Sequence, residues 1–340
     1  MEEILHKHVQ VRGLNLHVAE AGSGSKVVVF LHGFPEIWYS WRHQMVAVAE
    51  AGYRAIAIDF RGYGLSEQPS EPEKATMSDF ADDVVGLLDS LGIAKAKPSR
   101  IYSCAPSQKA LYYYILSDTY KEVFLVAKDF GAIIVSMIAV LHRERVAGLI
   151  TLGVPFTLPG LGNFKPDQLP KGFYIPRWQE PGRAEADFGR FDVKTVIRNI
   201  YIMFSGSELQ VASDDQEIMD LIAPNSPLPA WFSEEDLSTY AHLYENSGFR
   251  TALQVPYRSM NIGVDIEDPN VRAPALLIMG EKDYVFKFPG MDEYIRGGIV
   301  KNFVPDLEIV FIPDGNHFVQ EQLPAEVNQL IVSFLDNHTN

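Results

Sequence analysis

The chain has 340 residues, 47% hydrophobic and 21% charged, with 44 acidic against 29 basic residues and a formal net charge of −15. That length allows one large core with an inserted subdomain, the composition is that of a globular protein, and the negative field disfavours nucleic acid and anionic membranes as partners. A single cysteine, Cys104, excludes an intramolecular disulfide, and the first residues carry no apolar signal core, so the expectation is a reducing, cytoplasmic setting without a membrane anchor.

In chain order, His8 to Glu20 alternates as a hairpin turning at Gly13, and Lys26–Leu31 is a short apolar run of the buried-strand type. It leads into His32-Gly33-Phe34-Pro35-Glu36, where Gly33 permits a sharp turn and Pro35 fixes the next φ. Such a loop after a central strand is either an ordinary strand-to-helix turn or a device that aims the Phe34 N–H into a pocket as an oxyanion donor. Ser40–Glu50 reads as a helix, Tyr53–Asp59 as a strand, and Ser78–Leu91 as an amphipathic helix capped by Ser78. Alternating strands and helices imply a parallel sheet with helices on both faces and ligands at the carboxyl ends of its strands.

The segment 94–120 interrupts this rhythm. Helix-to-strand connections take about 2–6 residues, so this stretch, with Cys104 and the tract Tyr112–Tyr114, is an unusual insertion. Cys104 has no motif around it and reads as an inert thiol. Val123–Ala127 then forms a buried strand that turns at once, through Lys128-Asp129-Phe130-Gly131, into an apolar helix ending near Leu141. Small residues around an exposed apex are the pattern of a nucleophile elbow, with Asp129 where serine usually stands. Asp is also a favoured helix N-cap, so the stretch alone leaves both roles open.

After a strand at Val146–Val154 the alternation stops. From Pro155 to about Met260 the chain is rich in Pro and aromatic residues, with helical pieces at Arg183–Phe188, Asp192–Phe204, Gln216–Ile222 and Ser233–Asn246. Strands resume at Ala275–Met279 and Leu307–Ile312, and a helix at Ala325–Leu335 closes the chain. The expected division is a core at 1–155, a helical cap at 156–262 and the rest of the core at 263–340. Asp129, Asp283 and His317 each fall just past a strand, in the order nucleophile, acid, histidine.

With these residues in view, the chain resembles the plant-type soluble epoxide hydrolases of the α/β-hydrolase fold over nearly its full length. The resemblance rests on His32–Glu36 with Trp38–Trp41, Asp59–Gly64, Lys128–Ala132, Tyr174–Gly182, Val255–Arg258, Gly280–Asp283 and Gly315–Phe318. It implies a mostly parallel central sheet with helices on both faces and an inserted helical cap. It further implies an Asp129 nucleophile that forms an alkyl ester, a His317–Asp283 pair that activates water, and Tyr174 and Tyr257 as proton donors to the epoxide oxygen. Phe34 and Phe130 supply oxyanion N–H groups, and the substrate pocket takes in His32, Gly33, Pro35, Trp38, Trp178 and Phe318. No metal or cofactor is expected, the partners being an epoxide and water, with the chain a monomer or homodimer. Many relatives have His and Trp beside the nucleophile, where this chain has Lys128 and Phe130. The rival readings are a haloalkane or haloacetate dehalogenase with the same Asp nucleophile, and a non-catalytic small-molecule-binding protein on the same fold.

Overall fold

The computed structural model describes residues 3–93, 122–160 and 168–339. The expected insertion at 94–120, with Cys104 and Tyr112–Tyr114, lies outside the described residues. Leu5–Val11 (β1) and Leu14–Ala21 (β2) pair antiparallel, and the turn between them uses Arg12 and Gly13, both at positive φ. The remaining strands are Val27–Leu31 (β3), Arg54–Ile58 (β4), Val123–Lys128 (β5), Val146–Leu152 (β6), Ala275–Gly280 (β7) and Leu307–Ile312 (β8). They form one sheet in the order β1-β2-β4-β3-β5-β6-β7-β8. β2 runs antiparallel to β4, and every pairing from β4 to β8 is parallel. The strand order reverses between β3 and β5, which opens a crevice beyond their carboxyl ends.

The period of two along each strand sorts the core into two layers. Val29, Leu31, Ile56, Ile58, Leu125 and Ala127 face one apolar cluster, while Val28, Phe30, Ala55, Ala57, Phe124 and Val126 face the other. Arg42–Glu50 (α1) covers the second cluster through Met45 and Val48. Met77–Ser90 (α2) and Gly131–Leu141 (α3) cover the first through Val84, Leu87, Ile134 and Ile138. This two-sided burial is why β3, β5 and β7 are apolar almost without interruption.

Between β6 and β7 lie Tyr174–Gln179 (α4), Arg183–Phe188 (α5), Val193–Phe204 (α6), Glu234–Ser247 (α7) and Arg250–Leu253 (α8). Met291–Arg296 (α9) separates β7 from β8, and Val319–Gln322 (α10) and Pro324–Asn337 (α11) follow β8. Val327, Ile331 and Phe334 of α11 join α1 on the second face. Several local readings change. The expected helix at Gln216–Ile222 is only a 3₁₀ turn at Ile218–Leu221, and the one expected from Ser40 starts as a 3₁₀ turn at Trp38–Trp41. α4 escapes sequence reading because Pro176 suggests a break, yet a proline in the first turn removes an N–H that had no intrahelical partner. No helix among the described residues is long and apolar enough to cross a membrane.

The α2 cap also moves. Thr76, not Ser78, is the N-cap: its hydroxyl accepts from the Asp79 N–H, and the Asp79 carboxylate accepts from the Thr76 N–H. Thr76→Ala is therefore expected to cost about 1 kcal/mol of stability, read as a lower urea midpoint, with Ser78→Ala costing less than half as much.

Candidate active site

β5 ends at Lys128 and α3 begins at Gly131, so two residues reverse the chain. Asp129 sits at the apex with a φ of 53°, a left-handed conformation that costs a non-glycine residue energy. Neighbours force the fit. A Cβ at Gly131 would stand 2.5 Å from the His32 carbonyl oxygen, and one at Gly33 would stand 2.4 Å from Asp129 Cβ. The Asp129 side chain does not cap α3, whose N-cap is Phe130 without a side-chain cap bond. Instead its side chain is 19% exposed, and its Oδ1 accepts the Phe34 N–H at 3.1 Å.

The loops after β7 and β8 bring the two other polar residues to the same place. His317 Nδ1 lies 3.0 Å from both carboxylate oxygens of Asp283, and Oδ1 of Asp283 also accepts the Val285 N–H at 2.9 Å. Because Asp283 accepts at Nδ1–H, the other ring nitrogen is the one free to exchange protons. That nitrogen, Nε2, lies 3.5 Å from Asp129 Oδ2, an ion-pair separation, and has no hydrogen-bond partner.

Electrostatics follow from this packing. Burial opposes the Asp129 charge, but the His317 contact and charge, then Lys128, then the Phe130 N–H outweigh it and bring the carboxyl to about 2. It is therefore ionised across the neutral range. For His317, burial favours the neutral ring, Asp283 favours the cation, Lys128 opposes it, and Asp129 adds to Asp283, leaving the imidazole raised above its usual value. Each of the two groups thus favours the charged form of the other.

Above the elbow stand two tyrosines. The Tyr174 hydroxyl is 3.2 Å from the Tyr284 hydroxyl, and the Tyr174 and Tyr257 rings meet edge-on at 5.9 Å. Burial raises both phenols; Asp129 raises Tyr174 further, and Tyr174 and then Asp129 raise Tyr257. Both groups therefore keep their protons while feeling the carboxylate. Phe34 packs against Tyr257 at 5.6 Å and Trp178 at 5.7 Å, and Trp178 against Tyr257 at 5.0 Å, which walls the space with aromatic surface.

Two residues expected in the pocket stand elsewhere. His32 has no exposed surface; its Nε2 accepts the Phe60 N–H at 3.1 Å, so Nδ1–H donates to the Gly33 carbonyl at 2.8 Å. Burial holds this ring neutral, with a value of about 4, and it braces the loop from behind. The Trp38 ring turns to the outer side, 4.6 Å from the His6 ring, where it lines a surface pocket with Leu65 and His242. Its backbone N–H is drawn there by the buried Asp59 carboxylate at 2.8 Å. Gly33 and Pro35 are buried in the loop, and Phe318 stacks on Tyr201 at 4.4 Å, beside the His317 ring.

Sequence reading passes over Glu36 and Tyr284. Glu36 is wholly buried; Oε1 accepts from the Gln320 amide, and Oε2 has no partner. Burial, first of all, holds its carboxyl above the usual range against the pull of Lys128. Its signal is an acidic residue in an otherwise apolar and glycine-proline loop. Tyr284 stands 4.9 Å from the His317 ring, and nothing in its loop distinguishes it from a core tyrosine. No group of three or more His, Cys, Asp or Glu among the described residues is arranged to hold a metal.

The fold is matched by comparison with known proteins. Residues 28–330 match the alpha/beta hydrolase family. The chain belongs to that family. Within it, the chain is 36% identical to epoxide hydrolase 2 of Siraitia grosvenorii, across 98% of this chain and 99% of that one. It is 32% identical to epoxide hydrolase A of Mycobacterium tuberculosis, across 96% of each. The structure of potato epoxide hydrolase I superposes with a TM-score of 0.82 at 34% identity, covering 98% of this chain and 100% of the potato one. The resemblance to plant-type epoxide hydrolases read from the motifs is therefore borne out for this alpha/beta hydrolase.

Because the Gly33 loop presses on Asp129, Gly33→Ala is expected to displace the carboxylate while leaving the distant sheet intact. Turnover should fall about 100-fold with an unchanged far-ultraviolet circular dichroism spectrum.

Proposed function

We propose that this chain is an epoxide hydrolase that opens an apolar epoxide to a vicinal diol through an ester on Asp129. The observation that carries the reading is an ionised carboxylate held out at a strained apex, with an imidazole 3.5 Å away.

An epoxide carbon is saturated, so the nucleophile must displace the ring oxygen directly, and a carboxylate is already charged for that task. The oxygen leaves as an alkoxide, a poor leaving group unless a donor meets it. Tyr174 and Tyr257, kept protonated above the carboxylate, can share and protonate it. The first step forms the Asp129 Oδ–carbon bond, breaks a ring carbon–oxygen bond and moves one phenolic proton to the alkoxide.

Esterification removes the Asp129 charge that helped hold a proton on His317. The imidazole then releases its proton more readily, returning one to the phenolate side of the site, and becomes a base. Water placed between His317 Nε2 and Glu36 Oε2, neither of which has a hydrogen-bond partner among the described residues, can give a proton to the imidazole and attack the ester carbonyl. The Phe34 N–H, already on an Asp129 oxygen, and the Phe130 N–H can hold the tetrahedral oxyanion. Collapse breaks the acyl carbon–oxygen bond, the proton of the added hydroxyl passes to the departing oxygen to complete the diol, and the carboxylate is restored. A dehalogenase would use the same nucleophile, but two buried tyrosines that feel the Asp129 charge suit an oxygen leaving group that must gain a proton.

The test is intact-protein mass spectrometry on variants given a slowly hydrolysed aryl epoxide. His317→Gln should gain the mass of one epoxide and turn over about a thousandfold more slowly. Asp129→Ala should gain no mass and form no diol. Full multiple-turnover activity in Asp129→Ala would end this reading.

A further inference from the structure

Lys128 is the last residue of β5, and its side chain has no exposed surface. Among the described residues its ammonium makes no hydrogen bond, and no carboxylate reaches it as a salt-bridge partner within 4.0 Å. A buried cation without a partner is costly, so proteins rarely keep one where a neutral residue would serve. The fold nevertheless reserves room for it. A Cβ at Gly153 would stand 2.8 Å from Lys128 Nζ, 3.1 Å from Asp283 Oδ2 and 3.4 Å from His317 Cε1, so these three atoms gather around one point. The Phe318 ring lies 5.7 Å from Nζ and can offer its face to the charge.

We propose that Lys128 is a positioning residue for hydrolysis of the Asp129 ester: a cation beneath the elbow that acts through His317, keeping its imidazole in the proton-accepting form. This rests on the epoxide hydrolase reading above. The groups facing His317 are Asp283 from the loop after β7, Asp129 from the elbow, Tyr284, Glu36 from the loop after β3, and Lys128. Phe204 from α6 and Phe318 present only ring surface. Asp283 and Asp129 are the anions that favour an imidazolium, and Lys128 is the cation that opposes them. When Asp129 is esterified its charge is lost, and of these two anions only Asp283 still works against Lys128, which favours the neutral base.

The sign is definite. Removing the positive charge lets His317 hold its proton to higher pH, so the acid limb of the hydrolysis step should move upward. We expect Lys128→Met, with Lys128→Gln as a second neutral variant, to raise that limb by about 0.5–1 pH unit. The single-turnover rate of ester formation should change less than about threefold, because Asp129 stays ionised without Lys128. The melting temperature should stay the same or rise, since an unpaired buried charge is gone. A lower melting temperature with an unmoved acid limb, or failure of both variants to fold, would show Lys128 to be structural and overturn the proposal. If the unaltered protein itself forms no ester, the failure lies with the Asp129 reading; if it forms and clears the ester while the variants keep its pH profile, only the role of Lys128 fails.

Discussion

Everything in the site depends on the close approach of two strand ends. β3 and β5 are neighbours in the sheet, and their following loops must share the crevice above it. Gly33 and Gly131 permit that approach, and Asp129, at a φ of 53°, absorbs the strain. A conformation that an L-residue resists is maintained only where its surroundings over-determine it. Here the His32 ring bonded to Gly33 and Phe60, the Phe34 N–H on the carboxylate, and the buried strand beneath all do so.

The second organising feature is a set of charges in a dry setting. Asp129, Asp283, Lys128, His317 and Glu36 meet where water screens them little, so the charges of their neighbours shift the protonation of Asp129, His317 and Glu36. The helices between β6 and β7 are tied to the core by a related cluster. Glu321 of α10 accepts from Tyr240 of α7 and from Arg42 of α1, and Arg42 also reaches Asp236 of α7. Burial pushes Glu321 up to about 7, even against the Arg42 charge. The aromatic roof over Asp129 is thus held in place by polar bonds to the core as well as by ring packing.

The sheet is legible in the sequence because its strands are continuous apolar runs. The elbow is legible because a strand that passes at once into a helix can turn only where small residues let two backbones touch. The order Asp129, Asp283, His317 can be read because each residue follows a strand. Features that depend on tertiary contact are less legible. The α2 cap shifts by two residues because Thr76 and Ser78 are equivalent by type, and only the reciprocal bond to Asp79 separates them. Trp38 reads as a pocket residue because it follows the oxyanion loop, but a buried carboxylate twenty-one residues on, at Asp59, turns that backbone outward. Lys128 stands out in the motif, yet its burial without a partner emerges only when Gly153 and the loops that carry Asp283 and His317 close around it.

In the proposed reaction the bond to the substrate is made first by a side-chain oxygen, and water acts only afterwards, on the ester. A single turnover in water enriched with heavy oxygen, with enzyme in excess, separates these events by mass. The first diol should carry ordinary oxygen, with the heavy isotope recovered in the Asp129 carboxylate after proteolysis. A first diol that carries the heavy isotope, with Asp129 unlabelled, would mean that water attacks the epoxide directly and would contradict the ester route.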